Sequence, residues 1–285
     1  MQAGHRDIIV TDSVTLLDGT AQGAVVICGS HGGVVAGLYA AAAGADGVVF
    51  NDASTGKDHA GIAGLYAIEQ YGIAAAAVDH RTARIGDGND TFENGIVSYV
   101  NRDAADAGVT IGLPAAEAAK KMTTWHRPGR TADLRPQSPA ELEPQLLEDT
   151  WPLVLALDSV SQVSWRMAGC LILGGSHGGI VNGKAIKAPV RAAFFNDAGV
   201  GKDDAGISRL PALDACSIPG ATVAAMSARI GDGRDTYENG TISHANATAK
   251  ALGVTIDQPA TEAVALIRQA THAVSPNSLR NQRTQ

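Results

Sequence analysis

Aromatic side chains are scarce in this chain, only 4% of 285 residues, and no apolar run is long enough to cross a bilayer. Basic residues are outnumbered, 22 Lys and Arg against 29 Asp and Glu, for a formal charge of -7. With no basic stripe and no aromatics interleaved among cations, the composition argues against nucleic-acid binding. Cysteine is sparse too. Cys28, Cys170 and Cys216 show neither CxxC nor zinc-ligand spacing. Cys28 and Cys170 sit in or beside expected strands as small buried hydrophobes, with a reactive thiol as the alternative for Cys28, which precedes a glycine turn. The stretch from Met1 to Asp12 lacks the apolar core of a signal peptide. The expectation is a cytoplasmic protein with reduced thiols.

What the chain does have is 33 glycines and 45% hydrophobic residues, a composition suited to a packed α/β protein. One glycine-rich pentapeptide occurs twice, as Gly29-Ser30-His31-Gly32-Gly33 and Gly175-Ser176-His177-Gly178-Gly179. Each copy follows an apolar run and precedes a small-residue segment of helical character, so strand, turn and helix start are expected in that order. The match extends well beyond the turn, at an offset of about 145 residues that is too long for a solenoid unit. Phe50-Asn51-Asp52-Ala53 returns as Phe195-Asn196-Asp197-Ala198, and Gly56-Lys57-Asp58 as Gly201-Lys202-Asp203. Ala83-Arg84-Ile85-Gly86-Asp87-Gly88 returns as Ala228-Arg229-Ile230-Gly231-Asp232-Gly233. Such a repeat reads as two fused ancestral protomers packed about a pseudo-two-fold axis.

Each copy reads as three strand-to-helix steps. In the first, strands are expected at 24–28, 47–51 and 73–78, with helices at 34–43, 60–71 and about 91–107. In the second, strands are expected at 169–173, 192–196 and 221–225, with the same helices between them. Short apolar strands alternating with helices imply α/β halves, each a mainly parallel sheet covered on both faces in three layers. The expected divisions are a first repeat over 1–120, a Pro-rich linker over 121–150, a second repeat over 151–274 and a polar tail over 275–285. The linker holds Pro128, Pro136, Pro139 and Pro144, with a helix expected near 139–147.

The repeated polar residues fall just after expected strands, where parallel sheets bind ligands. Ser30, Ser176, Lys57, Lys202, His31 and His177 are the candidate catalytic set. In the Ser-Lys form of triad logic a lysine with a depressed pKa serves as base for a serine nucleophile. The alternative has Lys57 and Lys202 pairing with Asp52 and Asp197, or with Asp58 and Asp203. The turn N–H groups at Gly32, Gly33, Gly178 and Gly179 would form an oxyanion site. Asn51, Asp52, Asn196, Asp197, Arg84, Arg229, Asp87 and Asp232 complete the candidate binding set, with Arg84–Asp87 and Arg229–Asp232 as internal ion pairs in the alternative. Asp90 and Asp235 read as first-turn capping residues.

No metal or cofactor is expected, although His31, Asp52 and Asp87, or His177, Asp197 and Asp232, could assemble a divalent-metal site. The Gly-Lys pairs lack the spacing of a nucleotide phosphate loop, and the glycine turns do not fit GxGxxG. The copies also differ: His59 faces Asp204, Cys28 faces Gly174, His80-Arg81 faces Ala225-Met226 and Tyr99 faces His244.

Paired Ser and Lys in repeated units is similar in plan to the ring-opening amidohydrolases that act on cyanuric acid or barbiturate, which have three repeats where this chain has two. That resemblance concerns division of labour and supplies no residues. The first expectation is a hydrolase opening a C–N bond of a small polar amide or imide. The alternatives are a lyase, decarboxylase or isomerase acting on a small carboxylate, and a non-catalytic protein binding a small anion. The expected partner is a small molecule, with no nucleic acid and no membrane, and homo-oligomerisation left open.

Overall fold

The apolar runs become the central strands of two sheets. The computed structural model describes residues 6–17, 21–125, 136, 138 and 143–272. The first half runs β1 (Ile8–Thr11), β2 (Val25–His31), α1 (Val34–Ala42), β3 (Gly47–Asn51), α2 (Ala63–Ala67), β4 (Ala74–Val78), α3 (Gly88–Asn94), β5 (Val97–Val100), α4 (Arg102–Asp106) and α5 (Ala115–Thr124). The second runs β6 (Gln145–Glu148), β7 (Val154–Leu157), β8 (Leu171–His177), β9 (Ala192–Asn196), α6 (Arg209–Ala215), β10 (Gly220–Val223), α7 (Gly233–Asn239), β11 (Ile242–Ala245), α8 (Ala247–Ala251) and α9 (Ala260–His272).

The first sheet has the order β1-β2-β3-β4-β5 and the second β11-β10-β9-β8-β7-β6. β1 to β4 are mutually parallel, as are β7 to β10, while β5, β6 and β11 are antiparallel edges. Strands β2, β3 and β4 are buried along their whole length because helices cover both faces. Val26, Val48 and Phe50 pack on one face with Leu65, and Val25, Ile27 and Val49 on the other with Met122. That division follows the two-residue period of a strand. The architecture is α/β.

Several expected elements are placed differently. The helix expected over 91–107 is α3, then β5, then α4. Asn101, expected inside it, is the N-cap of α4 and accepts from Ala104 N. Of the helix expected near 139–147, residues 139–142 lie outside the described residues and Gln145–Glu148 is an edge strand paired with β7. The span expected as a linker, 121–150, takes in the C-terminal end of α5 and the whole of β6. The tail 275–285 lies outside the described residues.

The largest departure is in the second half, where no helix matches α1. Asn182 and Gly183 are both left-handed, φ 51° and 66°, and Val181 bridges to Lys184. Asn-Gly favours such a tight reversal, and it stops a helix there. The consequence appears at the next helix. α1 and α2 approach so closely that a Cβ on Gly64 would lie 2.2 Å from Gly33 O. Gly64→Ala is expected to lower stability by about 2 kcal/mol or more through overpacking, read as a lower urea midpoint; an unchanged midpoint would show that the helices can separate freely. The residue aligned with Gly64 is Arg209. Both residues donate a backbone N–H to the glycine turn, Gly64 to Gly32 O and Arg209 to Gly178 O, each at 2.8 Å. The missing helix leaves room for the Arg209 side chain.

Candidate functional site at the cleft between the halves

The carboxyl ends of β2 and β8 face each other across a cavity of about 260 Å³. Ser30, His31, Ser176 and His177 line it, together with Asp158, Arg209 and the short 3-10 turns that begin at Val14 and Val160. The two imidazole rings stand 6.5 Å apart between centroids, nearly perpendicular. In each half the glycine two residues on donates its N–H to the histidine, Gly33 to His31 Nδ1 and Gly179 to His177 Nδ1, both at 3.1 Å. An Nδ1 that accepts must be unprotonated, so the neutral ring carries its proton on Nε2. Burial pushes His31 down to about 4 and His177 well below the ordinary histidine value, the latter helped by nearby His31 and Arg209. Both rings are therefore neutral N–H donors at physiological pH.

This arrangement corrects the expected oxyanion site. Gly32 N and Gly178 N are bonded to Asn51 O and Asn196 O, and Gly33 N and Gly179 N to the histidines. The four main-chain donors are already satisfied. The glycines are there for close packing: a Cβ on Gly32 would lie 2.9 Å from Gly61 O, and one on Gly178 2.6 Å from Gly206 O.

The expected Ser-Lys pairing is replaced by reciprocal ion pairs between the halves. Lys57 Nζ lies 3.1 Å from both carboxylate oxygens of Asp235, and Lys202 Nζ lies 2.8 and 3.1 Å from those of Asp90. Neither lysine lines the cleft. The pairing partners foreseen as the alternative, Asp52 and Asp58 or their equivalents, are not used either. Ser30 Oγ accepts from Val14 N at 3.0 Å and Ser176 Oγ from Val160 N at 2.8 Å, holding the 3-10 turns over the cavity. Cys28, beneath Ser30, is pushed up to about 12 by burial, with Ser30 opposing, and is inert as a nucleophile.

Arg84 and Arg229 belong to the same interface. Arg84 bonds Asp87, Asp90 and, across the halves, Asp203; Arg229 bonds Asp232, Asp235 and Asp58. Asp87 and Asp232, not Asp90 and Asp235, are the N-caps of α3 and α7. Asp90 and Asp235 are instead buried acceptors whose pKa values are lowered: burial opposes this, but the bonds from Lys202 and Arg84, or from Arg229, Asn239 and Lys57, prevail.

Asn51, Asp52, Asn196 and Asp197 hold loop backbone. Asn51 Oδ1 accepts from Ala53 N and its amide donates to Ala83 O; Asn196 does the same with Ala198 and Ala228. Asp52 accepts from Ser54 N and Asp197 from Gly199 N. The clamped loops are left-handed at Ala53, Ser54 and Thr55 (φ 48°, 57° and 62°) and again at Ala198, Gly199 and Val200. A β-branched residue such as Thr55 or Val200 adopts this region only when its surroundings force it.

The divalent-metal sets considered from the sequence are not assembled. Among the described residues, the group whose ligand atoms lie within 4.8 Å of one another is Asp52, Asp79 and His80, in a separate depression. Those oxygens already receive bonds from His80, Ser98 and Arg81.

Asp158 and Arg209 are among the cleft residues that the sequence did not single out. Asp158, matched to Asp12 in the repeat, lines the cavity, and its carboxyl is raised by burial and by Asp232, against a bond from Gly233 N. Arg209, 3% exposed, donates to Gly179 O, Ala185 O and Lys184 O and lies over the Phe195 ring. Burial lowers it to about 10, so it stays charged. No described carboxylate pairs with it. The signal for Arg209 was its alignment with a glycine, a difference between otherwise matched copies.

Comparison with protein-family models, curated proteins and solved structures finds no match. The site's own geometry therefore carries the functional argument.

Proposed function

We propose that the chain is an enzyme that abstracts a proton next to the carbonyl of a small carboxylate, in the cleft between two duplicated halves related by a pseudo-two-fold axis. The duplication reading is supported by the matched central strand orders, the equivalent N-caps and the reciprocal Lys–Asp pairs. The observation that carries the function is the pair of neutral histidines lining the cavity, each with Nδ1 fixed as an acceptor by a glycine N–H, so that the ring proton is on Nε2. Neutral imidazole donors polarise a carbonyl and stabilise the oxyanion that forms from it. Asp158, a partly buried carboxylate with a raised pKa, is the base. The C–H bond breaks, the proton goes to Asp158, and the electron pair moves into the carbonyl to give an enolate held by His31 and His177. Return of the proton to the opposite face of the same carbon gives the epimer, and loss of a β-substituent gives elimination.

Opening a C–N bond with a serine nucleophile has less support, because neither serine has a base within bonding distance. The test is exchange of the α-hydrogens of small keto acids in heavy water, followed by NMR. Asp158→Asn is expected to slow exchange at least about tenfold. The wild-type rate should rise with pH through the raised Asp158 carboxyl and stay flat across the ordinary histidine range. No wild-type exchange with any keto acid, or an unchanged rate in Asp158→Asn, would overturn the proposal.

A further inference from the structure

The two halves do not contribute equal walls to the cleft. From the first half come Val35, Ala36 and Tyr39 on α1, an apolar wall with one phenol. From the second come Val181 and Ile186 and, with them, the three cations of the described lining, Lys184, Lys187 and Arg209, on and behind the Asn-Gly hairpin that stands where the first half has a helix. The difference has a single structural origin. Where α1 packs on α2, glycine is required at 64; where the helix is absent, Arg209 fills the space and its guanidinium gathers the carbonyls of Gly179, Ala185 and Lys184 at 2.5 to 3.4 Å. Lys187 Nζ is anchored on Ser161 O at 2.6 Å, and Lys184 is exposed. Against these three cations the cleft lining offers one carboxylate, Asp158, already bonded to Gly233 N. A buried guanidinium without a carboxylate partner favours an anion nearby.

We infer that the ligand is a monocarboxylate with an apolar tail, bound in one orientation: carboxylate against Lys184, Lys187 and Arg209, tail against Val35, Ala36 and Tyr39. This rests on the cleft being the binding site, as proposed above, and adds the polarity of the substrate. It also gives the duplicated halves different tasks, one holding charge and the other holding hydrocarbon, with the paired histidines between them. A carbonyl between carboxylate and tail would then lie at the histidines.

The experiment is calorimetric binding to the full chain of acetate, butyrate and benzoate, with butylamine and butanol as probes of charge. Butyrate and benzoate are expected to bind at least about tenfold more tightly than acetate, since buried methylenes and a ring add apolar contact, while butylamine and butanol show no saturable binding. Lys184→Ala with Lys187→Ala, both exposed positions that leave the Arg209 scaffold intact, should weaken all three carboxylates by a similar factor of about ten. Val35→Ser should bring butyrate down to the level of acetate and leave acetate unchanged. Equal binding of butanol or butylamine, unchanged carboxylate binding in the double lysine variant, or equal losses of acetate and butyrate in Val35→Ser would each overturn the orientation. Binding is read without turnover, so failure of the Asp158 exchange test leaves this inference standing, and failure here leaves the exchange test to be judged separately.

Discussion

Asp90→Ala is expected to destabilise the protein by about 3 kcal/mol, the cost of breaking a buried ion pair and stranding its donors. The Asp90 side chain is 2% exposed and receives Arg84 N at 2.6 Å, Asn94 Nδ2 at 2.9 Å, Arg84 Nη2 at 3.1 Å and Lys202 Nζ at 2.8 Å. Removing the carboxylate leaves a lysine from the other half facing a cavity, and frees the arginine and amide it organised. Asp235→Ala should behave alike, since Arg229, Asn239 and Lys57 converge on it in the same way. Lys202→Met should cost less, because Arg84 and Asn94 still satisfy Asp90 and the lysine side chain is a quarter exposed. Urea unfolding followed by circular dichroism measures all three. A midpoint for Asp90→Ala within error of the wild type would mean that these pairs are not what joins the halves.

That network explains which parts of the molecule were legible in the sequence. Strand positions at 47–51 and 192–196 were readable because the continuous apolar runs Val48-Val49-Phe50 and Ala192-Ala193-Phe194-Phe195 have few other homes. β5 was not, since Val97-Ser98-Tyr99-Val100 is half-buried and lies between two short helices on an edge. For the site, the repeat directed attention to Ser30, His31 and their equivalents, and these do meet in one cleft. The inference that repeated polar residues must serve chemistry was too strong. Asn51 and Asp52, like Asn196 and Asp197, clamp left-handed loops, and Lys57, Arg84 and Asp90 are held in ion pairs that include partners in the other half. Ion pairs between the halves can account for polar residues that recur in sequence without any part in catalysis. The residues that shape the cleft are asymmetric: Arg209 stands opposite Gly64, and Asn182-Gly183 stands where the first half has a helix. Local periodicity cannot reveal that a missing helix makes room for an arginine at the start of the next helix in the chain.

Acid should unfold this protein in a window set by the two cleft histidines. His31 falls from 6.5 in the unfolded chain to about 4 when buried, and His177 shifts the same way. A base whose folded pKa is depressed is protonated first in the unfolded state. Stability is therefore complete above about pH 6.5 and falls as pH drops toward 4, where the folded His31 ring begins to take up a proton. At about 1.4 kcal/mol per unit, His31 alone accounts for about 3 kcal/mol across that range. Asp158 acts in the opposite sense, since its raised carboxyl binds a proton more readily when folded, and it softens the decline at the acid end. Asp90 and Asp235, held below the ordinary carboxylate value, add their losses only at lower pH. Urea midpoints measured from pH 7.5 to 4 should thus show a steep loss below 6.5 in the wild type. His31→Gln, though less stable at neutral pH for want of the Gly33 bond, should show a visibly shallower slope between 6.5 and 4. Equal slopes in the two proteins would mean that the imidazole takes up a proton in the folded state as easily as in water, and the neutral-donor role assigned to it in the cleft would fall with that result.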